Sequence, residues 1–177
     1  LLDAVDATTR LVVVGHPNNP TGTYIPKPEL EKLASGLRED ILLVVDEAYF
    51  EFVTAADYMS GLSLDRKNVL VLRTLSKAYG LAGLRLGYGI GEARLISYLN
   101  RVREPFNVNS LALVGGAASL GDREHVKRSV EINTAERERV SKEIAAMGFT
   151  VVPTQANFLL VDFKREAILV YEALLKQ

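Results

Sequence analysis

The blocks of apolar and polar positions along this chain predict alternating strands and helices, then a change of pattern near its middle. Leu11 to Gly15 (LVVVG) is a short β-branched run, and the GHPNNPTG segment that follows, Gly15 to Gly22, is too rich in Pro, Gly and Asn for regular structure. A shaped loop is expected there. Pro26 and Pro28 suit the first turn of a helix running on through ELEKLASGLRE, with Leu30, Leu33 and Leu37 on one buried face. Ile41 to Val45 is continuously apolar and ends in Asp46, the pattern of an interior parallel strand covered on both faces. A mixed loop with a short helix near Tyr58 to Leu64 leads to a third strand, Val69 to Leu72, which ends in the polar RTLSK of Arg73 to Lys77. Leu84 to Ile90 is a fourth apolar run, weakened by Gly87 and Gly89, which mark a bend or a close backbone approach.

Helices are expected at Glu92 to Asn100 and, after Pro105, at Ser110 to Leu120, where Ala and Gly permit close packing. Glu124 to Met147 is strongly charged, with Val126, Val130, Val140, Ile144 and Met147 forming a narrow apolar stripe. Its charges read as a solvated face laced with local ion pairs. Gly148 ends that helix. Phe149 to Val152 and Asn157 to Val161 are short strand candidates separated by PTQA, and Arg165 to Lys176 resumes helical periodicity. The shift from strand–helix alternation to a long helix and paired strands puts a domain boundary at the long helix: residues 1–123, the helix 124–147, and residues 148–177.

Composition narrows the function classes. Lys plus Arg number 21 against 22 Asp plus Glu, a net charge of −1, which argues against nucleic-acid binding through a basic surface. With no Cys there are no disulfides, thiolate metal ligands or cysteine nucleophiles. The chain contains no HExxH motif and no clustered His and carboxylate set, so no metal is expected. GYGIGEAR at Gly87 to Arg94 lacks dinucleotide spacing, and no phosphate-loop GKS or GKT occurs. No apolar run approaches the roughly 18 residues of a membrane helix, which makes a cytoplasmic location the expectation.

Three polar clusters follow consecutive strands: Asn18 and Asn19, then Asp46 and Tyr49, then Ser76 and Lys77. The carboxyl ends of strands in an open α/β sheet form a common binding edge, so these clusters can converge. A Lys in a closed apolar pocket releases its proton more readily and forms a Schiff base with a carbonyl cofactor. Arg85, across a turn into the next strand, can return to the same pocket and clamp a phosphate, with Thr74 and Ser76 adding hydroxyls. Taken singly, each residue has a plainer role: Asp46 as a cap, Tyr49 as a core residue, Asn19 in an Asx turn. His16 is expected to serve loop packing rather than acid–base chemistry.

PNNPTG at Pro17 to Gly22, DEAYFEF at Asp46 to Phe52 and RTLSKAYGLAGLRLGYGIG at Arg73 to Gly91 resemble, in order and separation, the fold type I pyridoxal-phosphate aminotransferases of class I/II. The resemblance is strongest to the histidinol-phosphate aminotransferase subgroup and continues through EPFNVNSLA at Glu104 to Ala112 and ANFLLVDF at Ala156 to Phe163. It implies the three-layer α/β sandwich of a pyridoxal-phosphate-binding large domain, incomplete here, followed by the beginning of an α+β small domain. It further implies that Lys77 binds pyridoxal 5'-phosphate covalently, that Asp46 pairs with the cofactor's pyridine nitrogen, and that Asn19 and Tyr49 contact its phenolic oxygen. Arg85 would bind its phosphate, and Thr74 and Ser76 match the hydroxyl-bearing phosphate positions.

The reaction so implied is amino-group transfer between histidinol phosphate and 2-oxoglutarate in a homodimeric, cytoplasmic enzyme of histidine biosynthesis. Decarboxylation of a phosphorylated amino acid, or transamination of aromatic amino acids, is carried by the same motifs. The family's complete chains are about twice this length, so these residues read as a central segment. That segment alone is expected to be a weak or inactive catalyst, and a catalytically inactive structural fragment is the non-enzymatic alternative.

Overall fold

A computed structural model describes residues 1–177. Its centre is a four-stranded sheet in the order β1 (Leu11–Gly15), β2 (Leu42–Asp46), β3 (Val69–Thr74) and β4 (Gly87–Gly91). The first three strands are parallel, with Leu11 opposite Leu42 and Leu43 opposite Val69; β4 runs antiparallel to β3, with Leu70 opposite Gly91 and Thr74 opposite Gly87. Residues 75–86 between them form a loop with one 3-10 turn, Ala82–Leu84, and no crossover helix, so the chain turns back alongside β3.

Helix α1 (Lys27–Gly36) crosses from β1 to β2 with Pro26 as its N-cap and Pro28 in its first turn. It lays Leu30, Leu33 and Ala34 on the sheet, and Leu30 is fully buried. Burial of a leucine of this kind contributes roughly 1.5–3 kcal/mol. Leu33, Ala34, Leu37 and Ile41 join Val14, Leu43, Val45, Val69 and Val71 in one apolar cluster. The helix stops at Gly36, sooner than the leucine spacing predicts, because Leu37 turns extended and buries its side chain in that cluster. The opposite face of the sheet is bare at its β1 edge, where Leu11 and Val13 are exposed. The incompleteness expected of the sandwich lies there.

The link from β2 to β3 contains 3-10 turns at Phe50–Phe52 and Gly61–Ser63, the second within the short helix expected near Tyr58 to Leu64. After β4 come α2 (Ala93–Val102), α3 (Ser110–Gly121) and α4 (Arg123–Ala146). Each starts on a side-chain cap that satisfies otherwise orphaned amides: Glu92 accepts from Arg94 and Leu95, Asn109 from Ala112, and Asp122 from His125. On α4 the exposed pairs Lys127–Glu131, Arg139–Glu136 and Arg139–Glu143 match the predicted solvated face, each worth about 0.2–0.5 kcal/mol. Beyond α4 lie a two-stranded antiparallel sheet, β5 (Thr150–Val151) with β6 (Val161–Asp162), and α5 (Ala167–Leu174).

Both of these strands are shorter than their apolar runs predict. The residues between them are drawn away to the large sheet, where the Gln155 amide donates to the Gly22 carbonyl at 2.8 Å. Gln155 Oε1 also accepts the amides of Thr54 at 2.7 Å and Ala55 at 3.2 Å.

Candidate active site

Register decides which loops meet. Gly15, Asp46 and Leu72 lie side by side across β1, β2 and β3, so the chain leaves all three strands at one edge. Gly22 can close the first loop because it takes φ +73°, and its amide donates to the Asn18 carbonyl at 2.7 Å. Asn19 leaves that loop exposed and donates from Nδ2 to the Tyr49 hydroxyl at 3.0 Å. The hydroxyl accepts this bond, so its own proton remains available to a ligand.

Tyr49 is buried, and its ring meets Phe158 edge-on at a centroid distance of 5.2 Å. Ala78, Phe52 and Ala156 complete the cluster, with Val126 and Val130 of α4 packed against it. Tyr49 is therefore both a core residue and a polar group at the sheet edge. Lys77 Nζ stands 5.2 Å from the centroid of the Tyr49 ring, within cation–π range. Asp46 is half-buried at the end of β2, with Oδ1 accepting the Ala48 amide at 3.1 Å. That bond orients the carboxylate and leaves lone pairs free for a further donor.

The third loop is braced from within. Thr74 Oγ1 accepts the Ser76 amide at 3.1 Å, the Gly80 amide donates to the Lys77 carbonyl at 2.9 Å, and the Leu81 amide to the Leu75 carbonyl at 2.9 Å. Because β4 is antiparallel and the Leu75 amide donates to the Leu86 carbonyl at 3.0 Å, Arg85 follows at the level of Ser76. Arg85 holds φ +55°, a left-handed conformation uncommon outside Gly, and its guanidinium donates to the Ala82 carbonyl at 2.8 Å. All seven predicted residues thus lie at one sheet edge, Asp46 and Thr74 on the last residues of their strands and the other five on the loops beyond. The closed apolar pocket expected around Lys77 is not formed by these residues, because the loop that carries it turns outward and leaves the lysine exposed.

His16 is fully buried, as its packing role requires. Its Nε2 lies 2.9 Å from the Met59 carbonyl and must donate, while Nδ1 accepts the Ile25 amide at 3.2 Å, which defines a neutral imidazole. Tyr58 stacks on it at 4.2 Å and donates to the His16 carbonyl at 3.0 Å. Burial lowers the His16 pKa and raises that of Tyr58, so both stay uncharged. The reading from sequence missed Glu47, Arg73 and Gln155. Each is polar and tied to a site loop, yet nothing local in the sequence separates them from surface residues. A cleft of about 900 Å³, lined by Glu39, Asp65, Arg66, Glu92 and Arg94 among others, is at the other end of β2 and β3. It takes no part in this site.

The edge carries a carboxylate, an amide–hydroxyl pair, an amine, two further hydroxyls and a guanidinium, a set whose chemistry fits an aromatic aldehyde phosphate. A model of the aminotransferase class I and II family matches residues 1–177, and the chain belongs to that family. Within it, the chain is similar to histidinol-phosphate aminotransferase 1 of Nitrosococcus oceani, at 45% identity over 99% of this chain and 48% of the relative. It is also similar to the histidinol-phosphate aminotransferase of an Anaeromyxobacter species, at 48% identity over 96% of this chain and 47% of the relative.

Among solved structures, histidinol-phosphate aminotransferase from Sinorhizobium meliloti in complex with pyridoxal-5'-phosphate superposes with a TM-score of 0.83 at 32% identity, covering 90% of this chain and 44% of that one. Aspartate aminotransferase from Thermus thermophilus with maleate gives a TM-score of 0.86 at 26% identity, covering 99% and 49%. The chain spans about half the length of the curated relatives it matches.

Proposed function

We propose that the intact protein containing this chain uses pyridoxal 5'-phosphate to transfer an amino group between histidinol phosphate and 2-oxoglutarate. The observation that carries the reading is the arrangement of Asp46, the Asn19–Tyr49 hydrogen bond and Lys77 on adjacent loops at one sheet edge. The bound cofactor supplies an electron sink for a carbanion at the substrate carbon. The rest is done by side chains. Lys77 would hold the cofactor through its amine, the one group among these residues suited to carry a proton to and from the substrate carbon. Asp46, oriented by the Ala48 amide, would pair with the ring nitrogen and favour its protonated form. Tyr49 and Asn19 hold the phenolic oxygen, while Thr74, Ser76 and Arg85 bind the phosphate and fix the ring against sliding.

The same proposal divides the protein into a cofactor-binding part, residues 1–123, a connecting helix, 124–147, and the start of a small domain, 148–177. The separate two-stranded sheet after α4 supports that division. It also includes a homodimeric, cytoplasmic enzyme of amino-acid biosynthesis; no helix is long and apolar enough to cross a membrane. The test is to incubate the intact gene product with pyridoxal phosphate, histidinol phosphate and 2-oxoglutarate. Glutamate formation is the expected result. Carbon dioxide release from a phosphorylated amino acid, or transfer confined to aromatic amino acids, would replace the substrate assignment. Failure to trap the cofactor on Lys77 with borohydride would refute the cofactor chemistry.

A further inference from the structure

Behind the site lies a buried polar cluster that the chemistry above does not use. Glu47 is fully buried. Its Oε1 accepts Ser60 Oγ and the Gly61 amide, both at 2.7 Å, and its Oε2 accepts Arg73 Nε at 3.1 Å and Nη2 at 2.8 Å. Phe50 closes the cluster, its ring centroid 3.6 Å from Arg73 Cζ. Gly61 fits because it has no side chain, since a Cβ would stand 3.0 Å from both Val45 Cγ2 and Val71 Cγ2. A buried ion pair of this kind gains little net stability, because desolvation offsets the attraction, but its fork geometry restricts position strongly.

Its place in the fold gives that restriction a use. Asp46 opposite Leu72 is the last rung of the β2–β3 ladder, and the Glu47 amide extends it by donating to the Leu72 carbonyl at 2.8 Å. Past this point the chains part, one into the Phe50–Phe52 turn and the other along β4. Glu47 and Arg73 bridge the divergence. Successive strand side chains alternate between faces, so this pair lies on the face opposite Asp46 and Thr74.

We infer that Glu47 and Arg73 are positioning residues: their ion pair sets the spacing between the loop bearing Asp46 and Tyr49 and the loop bearing Thr74, Ser76 and Lys77. Tight retention of pyridoxal phosphate depends on that spacing, and this second part rests on the function proposed above.

The test compares the intact gene product with a Glu47→Met/Arg73→Met double variant. Apolar replacement of both partners removes the buried charges together but strands the Gly61 amide, so the variant is expected to fold with a modestly lowered thermal midpoint. The apolar pair cannot reproduce the bonds to Ser60 and Gly61. Amide hydrogen exchange at residues 46–50 and 74–78 of the cofactor-free protein is therefore expected to rise about tenfold, and pyridoxal phosphate, titrated by absorbance, to bind about tenfold more weakly. Wild-type exchange in both segments would overturn the inference, as would faster exchange with unchanged cofactor affinity. If the double variant does not fold, Glu47→Gln is read by the same criteria; it keeps side-chain length and an acceptor for Ser60 and Gly61 but withdraws the charge facing Arg73. A wild-type protein that takes up no pyridoxal phosphate would refute the proposed function, whereas wild-type exchange in the variant would refute the bridge itself.

Discussion

Tyr49 allows packing and chemistry to be separated by one atom. The residue is 5% exposed and packs with Phe52, Ala78 and Ala156, while its hydroxyl accepts only the Asn19 amide. Tyr49→Phe removes the hydroxyl and keeps the ring. Asn19 is exposed, so its freed amide returns to water and no buried donor is stranded. The cofactor-free protein should then lose one net hydrogen bond, about 0.5–1 kcal/mol. Tyr49→Ala instead empties a site that joins the β2 loop, α4 and Phe158, at a cost of about 3–5 kcal/mol.

Urea unfolding of the intact, cofactor-free protein measures both losses, and the Phe variant should lie roughly 2–4 kcal/mol above the Ala variant. In an absorbance titration with pyridoxal phosphate, the Phe variant should bind two- to tenfold more weakly, about the worth of one hydrogen bond in a site. If Phe costs as much stability as Ala, the ring is not what holds the cluster. If Phe matches the wild type in both measurements, the hydroxyl has no role at the site.

Lys77→Ala should abolish the borohydride-trapped pyridoxyl adduct seen by peptide mass spectrometry while leaving the unfolding midpoint close to wild type, since Lys77 is exposed. Burial pulls the His16 pKa below 6.5, so the unfolded chain takes up a proton below that pH that the folded chain refuses. Stability should be intact above pH 6.5 and fall beneath it, by up to about 1.4 kcal/mol per pH unit, until the folded-state pKa is reached. His16→Gln should remove that part of the slope in unfolding experiments at pH 5.5 and 7.5. Gly22→Ala would set a methyl against Thr154 Oγ1 at φ +73°, for an expected loss of about 2–4 kcal/mol. Adding Thr154→Ala should recover only part of it, because the positive φ remains.

The apolar blocks at Ile41–Val45 and Val69–Leu72 were legible because a strand between neighbours needs apolar residues at every position, and Leu11–Gly15 carries the same signal although it lies at the edge of the sheet. Two ends moved where backbone pairing, which residue type does not record, carried β2 one residue on through Asp46 and β3 two residues on through Thr74. The direction of β4 was not legible at all. Gly87, Gly89 and Gly91 suit a strand pressed against β3, but nothing in their spacing says which way it runs. The paired strands after α4 were overcalled for a different reason. Periodicity sees Val152 and Phe158 as strand residues, whereas Gln155 spends its side chain on Thr54 and Ala55 and its amide on Gly22, all far away in the chain. A contact that distant leaves no local pattern.

The candidate site was more legible than the strand edges because of how the residues count from one rung. Gly15, Asp46, Leu72 and Gly89 stand in line across the sheet. Asn19 lies four residues beyond that line, Tyr49 three, Lys77 five, and Arg85 four before it on the reversed strand, so all four emerge at the same edge. Motif spacing within each strand–loop unit already contains these offsets, and only the alignment of the strands had to be supplied. Glu47 and Arg73 are each one residue beyond the same line, which makes them cross-strand neighbours once the register is known. Without the register, Glu47 is one acid among several in DEAYFEF and Arg73 one base before a polar loop. Residues that would bind the cofactor are recognisable by type and offset; the pair that spaces their loops becomes recognisable only when two strands are laid side by side.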